Sequence, residues 1–501
     1  MNRYVYFLLL SFLASLESGA ANTGRVAKTP RLVVNIAIDQ LRADLLEEYM
    51  PLLSNDGFRK LMHEGRVYKN ASMPFLPVDC ASAIASISTG SYPLYNGIPS
   101  KEWVSRKTSR PMFCTADQVS LLTPRNATPT PINIMSSTLS DELKIHTDGL
   151  GKVYNIATGA DAAILFAGYT SDCAMWIDVH TGLWTTSTYY NELQPEWLNV
   201  YNSAYSASRK LKSRIYSFKG REKYLSYTTT SLANEDVTSV VLNCVSSERL
   251  GMDNIPDLVN IQYSAANVRD DVKCSVTDIL QYKYIELDKS IGKLISTIEQ
   301  NIGKDNVLFV VTSTGYYDDV AVDYGKYRIP SGTVYINRTS SLLNMFLSAL
   351  YGNAHYVDAY KDNQIYLNRK LIEQRRLPLN EVLERSREML LMSDGISDVY
   401  TSFMLTKASD KETQLLRNGY NLDVCGDLVI EVAPGWNIYD ENTKKYRERR
   451  QYGFVFPVIL YGTDFRHEII EEPVTTDQIA PTISKKIKIR APNASKSKSL
   501  K

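Results

Sequence analysis

The segment "RLVVNIAIDQLRADLL", residues 31–46, joins a continuous apolar run to the start of a helix. The run 31–39 does not alternate between apolar and polar side chains, and it ends in Asp39. Such a run is typical of a strand that is buried in a parallel sheet. The residues that follow show helical periodicity as far as Gly65. The segment therefore predicts a strand and a helix, with an acidic side chain at the carboxyl end of the strand.

Similar strand and helix patterns recur along the chain. Further buried strands are predicted at "KVYNIAT" (152–158), "DLVNIQYS" (257–264), "NVLFVVTST" (306–314) and "PVILYG" (457–462), with helical stretches between them, the longest at 276–303. This alternation favours an α/β fold, a mostly parallel sheet flanked by helices. In such sheets, ligand-binding and catalytic residues lie at the carboxyl ends of the strands. We therefore expect Asp39, Ser264 and Thr312 to Thr314 to lie at the functional edge.

The chain divides into four kinds of segment. Residues 1–21 carry Arg3, a short apolar run and small residues before a cut site, which predicts a signal peptide and an exported, periplasmic or extracellular protein. Residues 30–485 form the main domain, and two regions that interrupt its pattern, about 170–235 and 330–430, are interpreted as caps. Residues 486–501 form a basic C-terminal tail that we expect to fray.

Composition excludes some classes of function. The net charge is +1, which argues against nucleic-acid binding through bulk charge. No segment after the signal peptide is apolar enough to form a transmembrane helix. The six cysteines include no Cys-x-x-Cys pair, and their spacing does not define a disulfide framework, although a Cys80–Cys114 bridge is conceivable.

The chain resembles the alkaline phosphatase superfamily. It is most similar to secreted bacterial alkaline phosphatases that also resemble nucleotide pyrophosphatase/phosphodiesterases. The resemblance covers roughly residues 30–497 and is carried by "VVNIAIDQLRADLL", "GFRKLMHEG", "SISTGSYPLYNGI", "YIELDKSIGKLI", "NGYNLDVCGDLVIEVAPGW" and "FPVILYG", in the family's order. It implies two zinc ions, which activate a threonine or serine nucleophile and are held by three carboxylates and three histidines.

Most of the implied site residues are replaced in this sequence. Asp39 matches the first metal ligand, whereas the nucleophile position holds Cys80. The Asn-His or Gly-His pair that follows the nucleophile in the family is replaced by Ala83 and Ile84. The asparagine that contacts the phosphoryl group falls on Lys101. The Lys-x-Arg pair that binds the phosphate in the family falls on Gly159 and Asp161. The remaining metal-ligand motifs fall on Asn267 and Asp271, on Thr314 and Gly315, and on Val455 or Phe456.

The resemblance therefore implies that Asp39 is the one metal ligand retained in kind. None of the five histidines, His63, His146, His180, His355 and His467, follows a strand in a ligand-like context. We expect no zinc cofactor, and we interpret Asp39, Asn267 and Asp271 as vestigial metal positions. Mixed carboxylate and amide oxygens at these positions would suit one hard cation better than zinc.

Three further roles of Cys80 can be considered. The sulfatases share the fold and modify a cysteine in Cys-x-Pro-x-Arg, but here Cys80 is followed by Ala-Ser-Ala-Ile, which excludes that chemistry. A thiolate nucleophile is the second, with Lys101 and the start of a helix "CASAIASIS" as its anion-stabilising groups. The third is a small packed or disulfide-bonded cysteine.

We expect a catalytically degenerate member of the fold, a pseudoenzyme, with a binding or structural role. Its partner would be a protein of the cell envelope. Trp176, Trp184, Tyr189 and Tyr190 are the candidate contact residues on the first cap, or else the core of that cap. The alternative is an active phosphomonoesterase or phosphodiesterase, with a rebuilt metal site or a Cys80 thiolate.

Overall fold

A computed structural model gives the architecture. It describes residues 28–116, 128–205, 207, 223–266, 276–318, 326, 328–407 and 409–501. The predicted signal peptide, Asn267 and Asp271 lie outside the described residues. Among the residues that are described, no helix is long and apolar enough to cross a membrane.

A ten-stranded sheet forms the centre of the fold. Its strands run in the order Glu468–Ile470, Arg66–Ser72, Phe456–Gly462, Val307–Ser313, Leu32–Asp39, Asp257–Ser264, Val153–Ile156, Cys173–Ile177 and Trp184–Thr186, with Val474–Thr475 also paired to Arg66–Ser72. The five strands from Val307–Ser313 to Cys173–Ile177 are parallel, while Phe456–Gly462 and Trp184–Thr186 run antiparallel to their neighbours. The predicted mostly parallel α/β sheet is confirmed.

Helices connect and cover these strands. The α-helices are Ala43–Tyr49, Phe58–Glu64, Cys80–Thr89, Pro93–Asn96, Leu139–His146, Ala160–Ala167, Glu196–Tyr205, Lys223–Tyr227, Ser231–Ser247, Val276–Ile302, Ile336–Tyr351, Arg369–Gln374, Leu379–Leu391, Ser402–Lys407, Lys411–Gly419 and Ile479–Ile487. The helical prediction for residues 42–65 is confirmed, since two of these helices and a short 3₁₀ turn occupy it and the second ends before Gly65.

The two faces of the sheet bury separate apolar clusters. Val34, Ile36 and Ile38 face one cluster, and Val33 and Ala37 face the other. Successive side chains of a strand point to opposite faces, so a fully apolar run is needed where both faces are covered. This is the physical reason for the apolar run 32–38, in which Asn35 is the one polar residue.

Polar side chains also cross the buried sheet. Asn35, Asn260 and Asn155 are opposite one another on three neighbouring strands. The Asn35 amide donates to the Asn260 carbonyl oxygen at 2.9 Å, and the Asn260 amide donates to Asn155 at 2.8 Å. The Asn155 amide in turn donates to the backbone oxygen of Cys173 at 3.0 Å. This asparagine ladder fixes the register of four strands, because one shifted residue would break every bond in it.

The interpretation of residues 170–186 as part of a cap is wrong. Cys173–Ile177 and Trp184–Thr186 extend the central sheet. Trp176 and Trp184 are 8% and 3% exposed and pack into the apolar clusters on opposite faces of the sheet, so neither presents a contact surface. Cys173–Ile177 is a short, fully buried apolar run between two strands, whereas Trp184–Thr186 at the sheet edge is partly polar. The surrounding aromatic and Ser/Thr residues obscured this pattern in the sequence.

Residues 332–446 fold around an apolar cluster of their own. A four-stranded antiparallel sheet contains Val357–Lys361, Gln364–Leu367, Leu428–Val432 and Ile396–Thr401. A three-stranded sheet contains Gly332–Tyr335, Trp436–Asp440 and Lys445–Tyr446. Two antiparallel strand pairs, Glu102–Ser105 with Arg110–Phe113 and Tyr316–Asp318 with Arg450–Tyr452, lie outside both. We refer to residues 332–446 as the insert.

The C-terminal tail is packed against the domain, contrary to the expectation that it frays. Leu500 is 6% exposed, and its backbone N–H donates to the Thr482 hydroxyl at 2.8 Å. The Ser497 hydroxyl donates to Asp477 at 2.5 Å, and Arg66 donates to the backbone oxygen of Lys501 at 2.8 Å. The basic composition of this segment predicted solvation, but its few apolar residues are sufficient to dock it.

Candidate functional site

Asp39 ends its strand inside a cluster of neutral hydrogen-bond donors. The Thr314 hydroxyl donates to its carboxylate at 3.0 Å, and the Tyr316 hydroxyl and the Cys80 thiol also donate to it. Desolvation raises the pKa of Asp39 to about 6, with Asp318 adding to the rise, although the three donors lower it. The carboxylate is therefore satisfied by the protein itself, in a position where desolvation disfavours its charge.

The residue after Asp39 holds this cluster in place. Gln40 adopts a left-handed backbone conformation with φ 59°, which a residue with a side chain rarely adopts. Its backbone N–H donates to the Thr314 hydroxyl at 2.9 Å. Its side-chain amide donates to the Asp318 carboxylate at 2.9 Å and accepts from the Asp318 backbone N–H at 3.0 Å. These bonds join the ends of two adjacent strands around the Asp39 carboxylate.

Lys283 brings a buried cation to the same place. It lies on the long helix Val276–Ile302 and has no exposed side-chain surface. Its ammonium donates to the backbone oxygen of Thr229 at 2.5 Å and to that of Ala266. Burial lowers the pKa of Lys283 to about 7, and the nearby Asp39 carboxylate opposes that shift. A protein cation therefore acts on the carboxylate that the family resemblance implies as a metal ligand.

Cys80 is the first residue of the helix Cys80–Thr89, as the sequence predicted. Asp79 caps that helix: its carboxylate accepts from the Ser82 backbone N–H at 2.8 Å and from the Lys101 backbone N–H at 2.7 Å. The Ser82 hydroxyl accepts from the Asp79 N–H in return, which completes a capping box. A helix N-terminus attracts anions, but here a side-chain carboxylate already occupies it.

The Cys80 thiol is not activated. Burial raises its pKa well above that of a free cysteine, and the neighbouring carboxylates of Asp39 and Asp161 raise it further. Lys101 lowers it by less than these groups raise it. A nucleophilic cysteine needs a lowered pKa, so the thiol here is protonated at neutral pH. Cys80 and Cys114 are both free thiols in this structure.

Lys101 forms an ion pair with Asp161. Its ammonium lies 2.9 Å from the Asp161 carboxylate. Burial would raise the pKa of Asp161, but Lys101 outweighs it and holds that pKa below its usual range. The pair raises the pKa of Lys101 in turn. The implied asparagine and arginine positions thus hold a lysine and an aspartate that form an ion pair.

A strand pair closes the cluster from the side of the insert. Tyr316–Asp318 pairs antiparallel with Arg450–Tyr452. The Arg450 guanidinium lies over the Tyr316 ring, 5.5 Å from its centroid, and 3.5 Å from the Asp318 carboxylate. Burial opposes its charge, but the carboxylates of Asp79, Asp318 and Glu448 raise the pKa of Arg450 overall. This guanidinium is thereby engaged by protein acids.

The described residues do not fit a zinc ion at this cluster. No group of three or more His, Cys, Asp and Glu side chains among them could hold a metal. All five histidines are exposed, and His63 and His146 lie on helices. Borderline-soft zinc favours imidazole and thiolate together with carboxylate, whereas Asp39 is accompanied by hydroxyl groups, a protonated thiol and an ammonium. Asn267 and Asp271 lie outside the described residues, so their predicted metal role stays a prediction.

The structure brings together Asp39, Cys80, Thr314 and Lys101 with its partner Asp161, as expected for one edge of the sheet. Tyr189 and Tyr190 form an edge-to-face pair elsewhere, and the Tyr190 hydroxyl donates to the Gly168 backbone oxygen at 2.6 Å.

Sequence reasoning missed Lys283, Tyr316 and Arg450. Lys283 had a detectable signal: with Leu287 and Ile291 it continues the buried stripe of its helix, where a lysine is out of place.

Comparisons with known proteins agree with this fold. The family described as type I phosphodiesterase / nucleotide pyrophosphatase matches residues 33–455. Alkaline phosphatase PafA of Elizabethkingia meningoseptica is 24% identical over 97% of this chain and 96% of its own length. A protein named calcium-transporting ATPase from Myroides odoratus is 26% identical over 93% of both chains.

A solved structure supports the same architecture. The crystal structure of wild-type alkaline phosphatase PafA superposes with a TM-score of 0.79 at 21% identity, covering 95% of this chain and 99% of that one. At this identity the likeness concerns the fold alone. The family match spans most of the chain and therefore shows the family as well as the fold. The chain belongs to the type I phosphodiesterase / nucleotide pyrophosphatase family, within the alkaline phosphatase superfamily.

Proposed function

We propose that this protein is a catalytically degenerate member of its family, with a binding or structural role in an exported or envelope assembly. The observation that carries the proposal is the Asp39 carboxylate, which is occupied by the Thr314 hydroxyl, the Tyr316 hydroxyl and the Cys80 thiol. A metal ion bound there would have to displace these donors and approach the Lys283 ammonium. Fold does not determine function, so the chemistry of the site has more weight than the family.

The Lys101–Asp161 pair supports the proposal independently. Phosphoryl transfer relies on fixed positive charge at the oxygens of the transferred group. Here Lys101 is paired with Asp161, and Arg450 with Asp318 and Glu448. An incoming phosphate would therefore compete with protein carboxylates for both cations.

The alternative is an active phosphomonoesterase or phosphodiesterase with a rebuilt metal site or a Cys80 thiolate. The names of the relatives support it, since alkaline phosphatase PafA and alkaline phosphatase PhoV of Synechococcus elongatus both match over more than 90% of this chain. The raised pKa of Cys80 is against the thiolate version.

One assay separates the two proposals. The chain without residues 1–21 is purified, equilibrated with zinc, and tested against aryl phosphate mono- and diesters. We expect no turnover above that of an Asp39→Ala variant. Turnover that requires zinc and Asp39 would establish the metal-dependent alternative, and metal-free turnover lost in Cys80→Ala would establish the thiolate.

The role in an exported assembly needs a test of its own. The predicted signal peptide and the relatedness to alkaline phosphatases support export. Cell fractionation of the native host should find the protein outside the cytoplasm, and crosslinking there should join it to a protein partner. Recovery in the cytoplasm would contradict this part of the proposal.

A further inference from the structure

A cleft lies between the carboxyl edge of the central sheet and the insert. Its volume is about 630 Å³, which is within the range of small-molecule sites. Asp79 and Lys101 line its inner end, and Trp436, Lys445 and Arg447 line its outer side. The cleft is thus next to the Asp39 cluster but is built largely from different residues.

Arg447 differs from most other cations of this cleft, because its side chain is half-buried and has no ion-pair partner among the described residues. Its backbone N–H donates to the Ile438 oxygen at 2.8 Å, which anchors the residue. Its guanidinium is half-buried and forms no hydrogen bond or ion pair with any other described residue. Burial lowers the pKa of Arg447, Arg450 repels it, and Asp362 attracts it from beyond ion-pair distance. A desolvated guanidinium without a carboxylate partner is costly unless something else supplies the anion.

Most of the other cations of the cleft are already engaged, and the Asp362 carboxylate also lines it. Lys361 pairs with Glu102 at 2.9 Å, and Arg450 pairs with Glu448 at 2.7 Å. The Asp79 carboxylate caps its helix. Lys445, close to Arg447 along the chain, also forms no ion pair with a described residue. The cations available to a ligand are therefore Arg447 and Lys445, and they lie on the insert side.

Aromatic rings line the same side. Trp436 is fixed by close contact with Gly395, where a Cβ would meet its ring at 2.0 Å, and Gly332 lies against the ring as well. Tyr446 is 59% exposed and packs against Tyr439 in a tilted arrangement, with ring centroids 4.7 Å apart. The exposed Tyr446 ring and the half-buried Trp436 ring, beside a guanidinium, can accept a flat apolar group and an acid group together.

We propose that this cleft binds a small aryl anion, whose acid group pairs with Arg447 and Lys445 while its ring lies against Trp436 and Tyr446. The guanidinium fork matches a carboxylate or a phosphonate in two hydrogen bonds. The proposal does not require the loss of hydrolysis, because the acid group sits on the insert and not at Asp39.

Calorimetric titration with phenylphosphonate, benzoate and the neutral benzamide tests the proposal. Phenylphosphonate has no ester to hydrolyse, and EDTA in the buffer keeps the Asp39 cluster out of the measurement. We expect saturable binding of the two anions and none of benzamide. Arg447→Gln should weaken phenylphosphonate binding at least about tenfold, as expected when a charge-assisted bond of roughly 1.4 kcal/mol or more is lost.

Two controls complete the experiment. Arg385→Gln removes an exposed arginine on another face of the insert and should leave binding unchanged. Arg447→Lys keeps the charge without the fork, so it should bind more weakly than wild type and more tightly than Arg447→Gln, provided all variants melt at similar temperatures. Equal affinity in wild type and Arg447→Gln, equal binding of benzamide, or no saturable binding would overturn the proposal.

Discussion

At the scale of single residues, the site is explained by the hydrogen bonds and ion pairs that its side chains form with one another. Asp39 accepts hydrogen bonds from neutral donors and lies near the buried Lys283, the carboxylates of Asp39 and Asp161 lie near Cys80, and Lys101 is paired with Asp161. Each of these groups has its polar requirement met within the chain. A metal ion or a phosphate would therefore compete with protein groups for them.

The state of the Cys80 thiol can be measured by alkylation. Because its pKa is raised, we expect iodoacetamide to modify Cys80 at pH 7 more slowly than it modifies a free cysteine, with the rate increasing as the pH rises above the ordinary thiol pKa of about 8.5. Mass spectrometry of peptides locates the label, and Cys80→Ser identifies the background. Faster labelling than free cysteine at pH 7 would show a thiolate and contradict this interpretation.

The Lys101–Asp161 pair predicts a pH dependence of stability. The pKa of Asp161 is lowered in the folded state, so its contribution is present above the unfolded-state pKa of about 4 and is lost as pH falls through the folded-state value. Asp161→Asn should therefore be less stable than wild type to urea at pH 7, and the difference should shrink at pH 3. A difference that is constant with pH, or larger in acid, would contradict the ion pair.

At the scale of elements, the buried strands were predictable because an apolar run at a sheet centre has no other stable location. The strands around Val34, Val259 and Phe309 follow this rule. The edge strand Trp184–Thr186 was missed, since a partly covered edge carries no such run. The short buried run Cys173–Ile177 beside it was overlooked among aromatic and Ser/Thr residues. At the site, Asp39 and Cys80 were placed from their position at strand and helix ends. Lys283 could not be placed, because its neighbours come from distant parts of the chain.

The asparagine ladder predicts a large effect from one central residue. Asn260→Ala would remove the acceptor of the Asn35 amide N–H group and the donor to the Asn155 carbonyl oxygen, two buried polar groups. We expect a loss of about 2 kcal/mol or more in the free energy of unfolding, measured by urea denaturation. Asn243→Ala, an exposed residue that bonds only within its own helix, should cost much less. Similar losses in both variants would show that the ladder contributes little.

At the scale of the whole molecule, the insert is joined to the central domain by buried charge. The fully buried Asp427 pairs with Arg106 of the central domain at 3.0 Å and with Arg369 of the insert at 2.7 Å. Its carboxylate also accepts from the Leu367 backbone N–H at 2.7 Å. Asp427 thus links the central domain to the insert.

Asp427→Asn tests this junction. The variant leaves two arginines without their shared counter-charge, and breaking a buried pair in this way costs about 3 kcal/mol. We expect the loss in thermal denaturation, together with faster proteolysis between the two parts. Glu388→Gln, which breaks an exposed pair with Arg385, is the matched control and should cost less than about 1 kcal/mol. An unchanged stability of Asp427→Asn would show that the junction is held by other contacts.

The most direct test of the account is the zinc content of the purified chain. The protein is equilibrated with zinc, passed through gel filtration, and its bound metal is measured by mass spectrometry beside an Asp39→Asn variant. Because the Asp39 carboxylate is already satisfied by Thr314, Tyr316 and Cys80, we predict no stoichiometric zinc in either protein. Stoichiometric zinc in the wild type that is lost in Asp39→Asn would contradict the account.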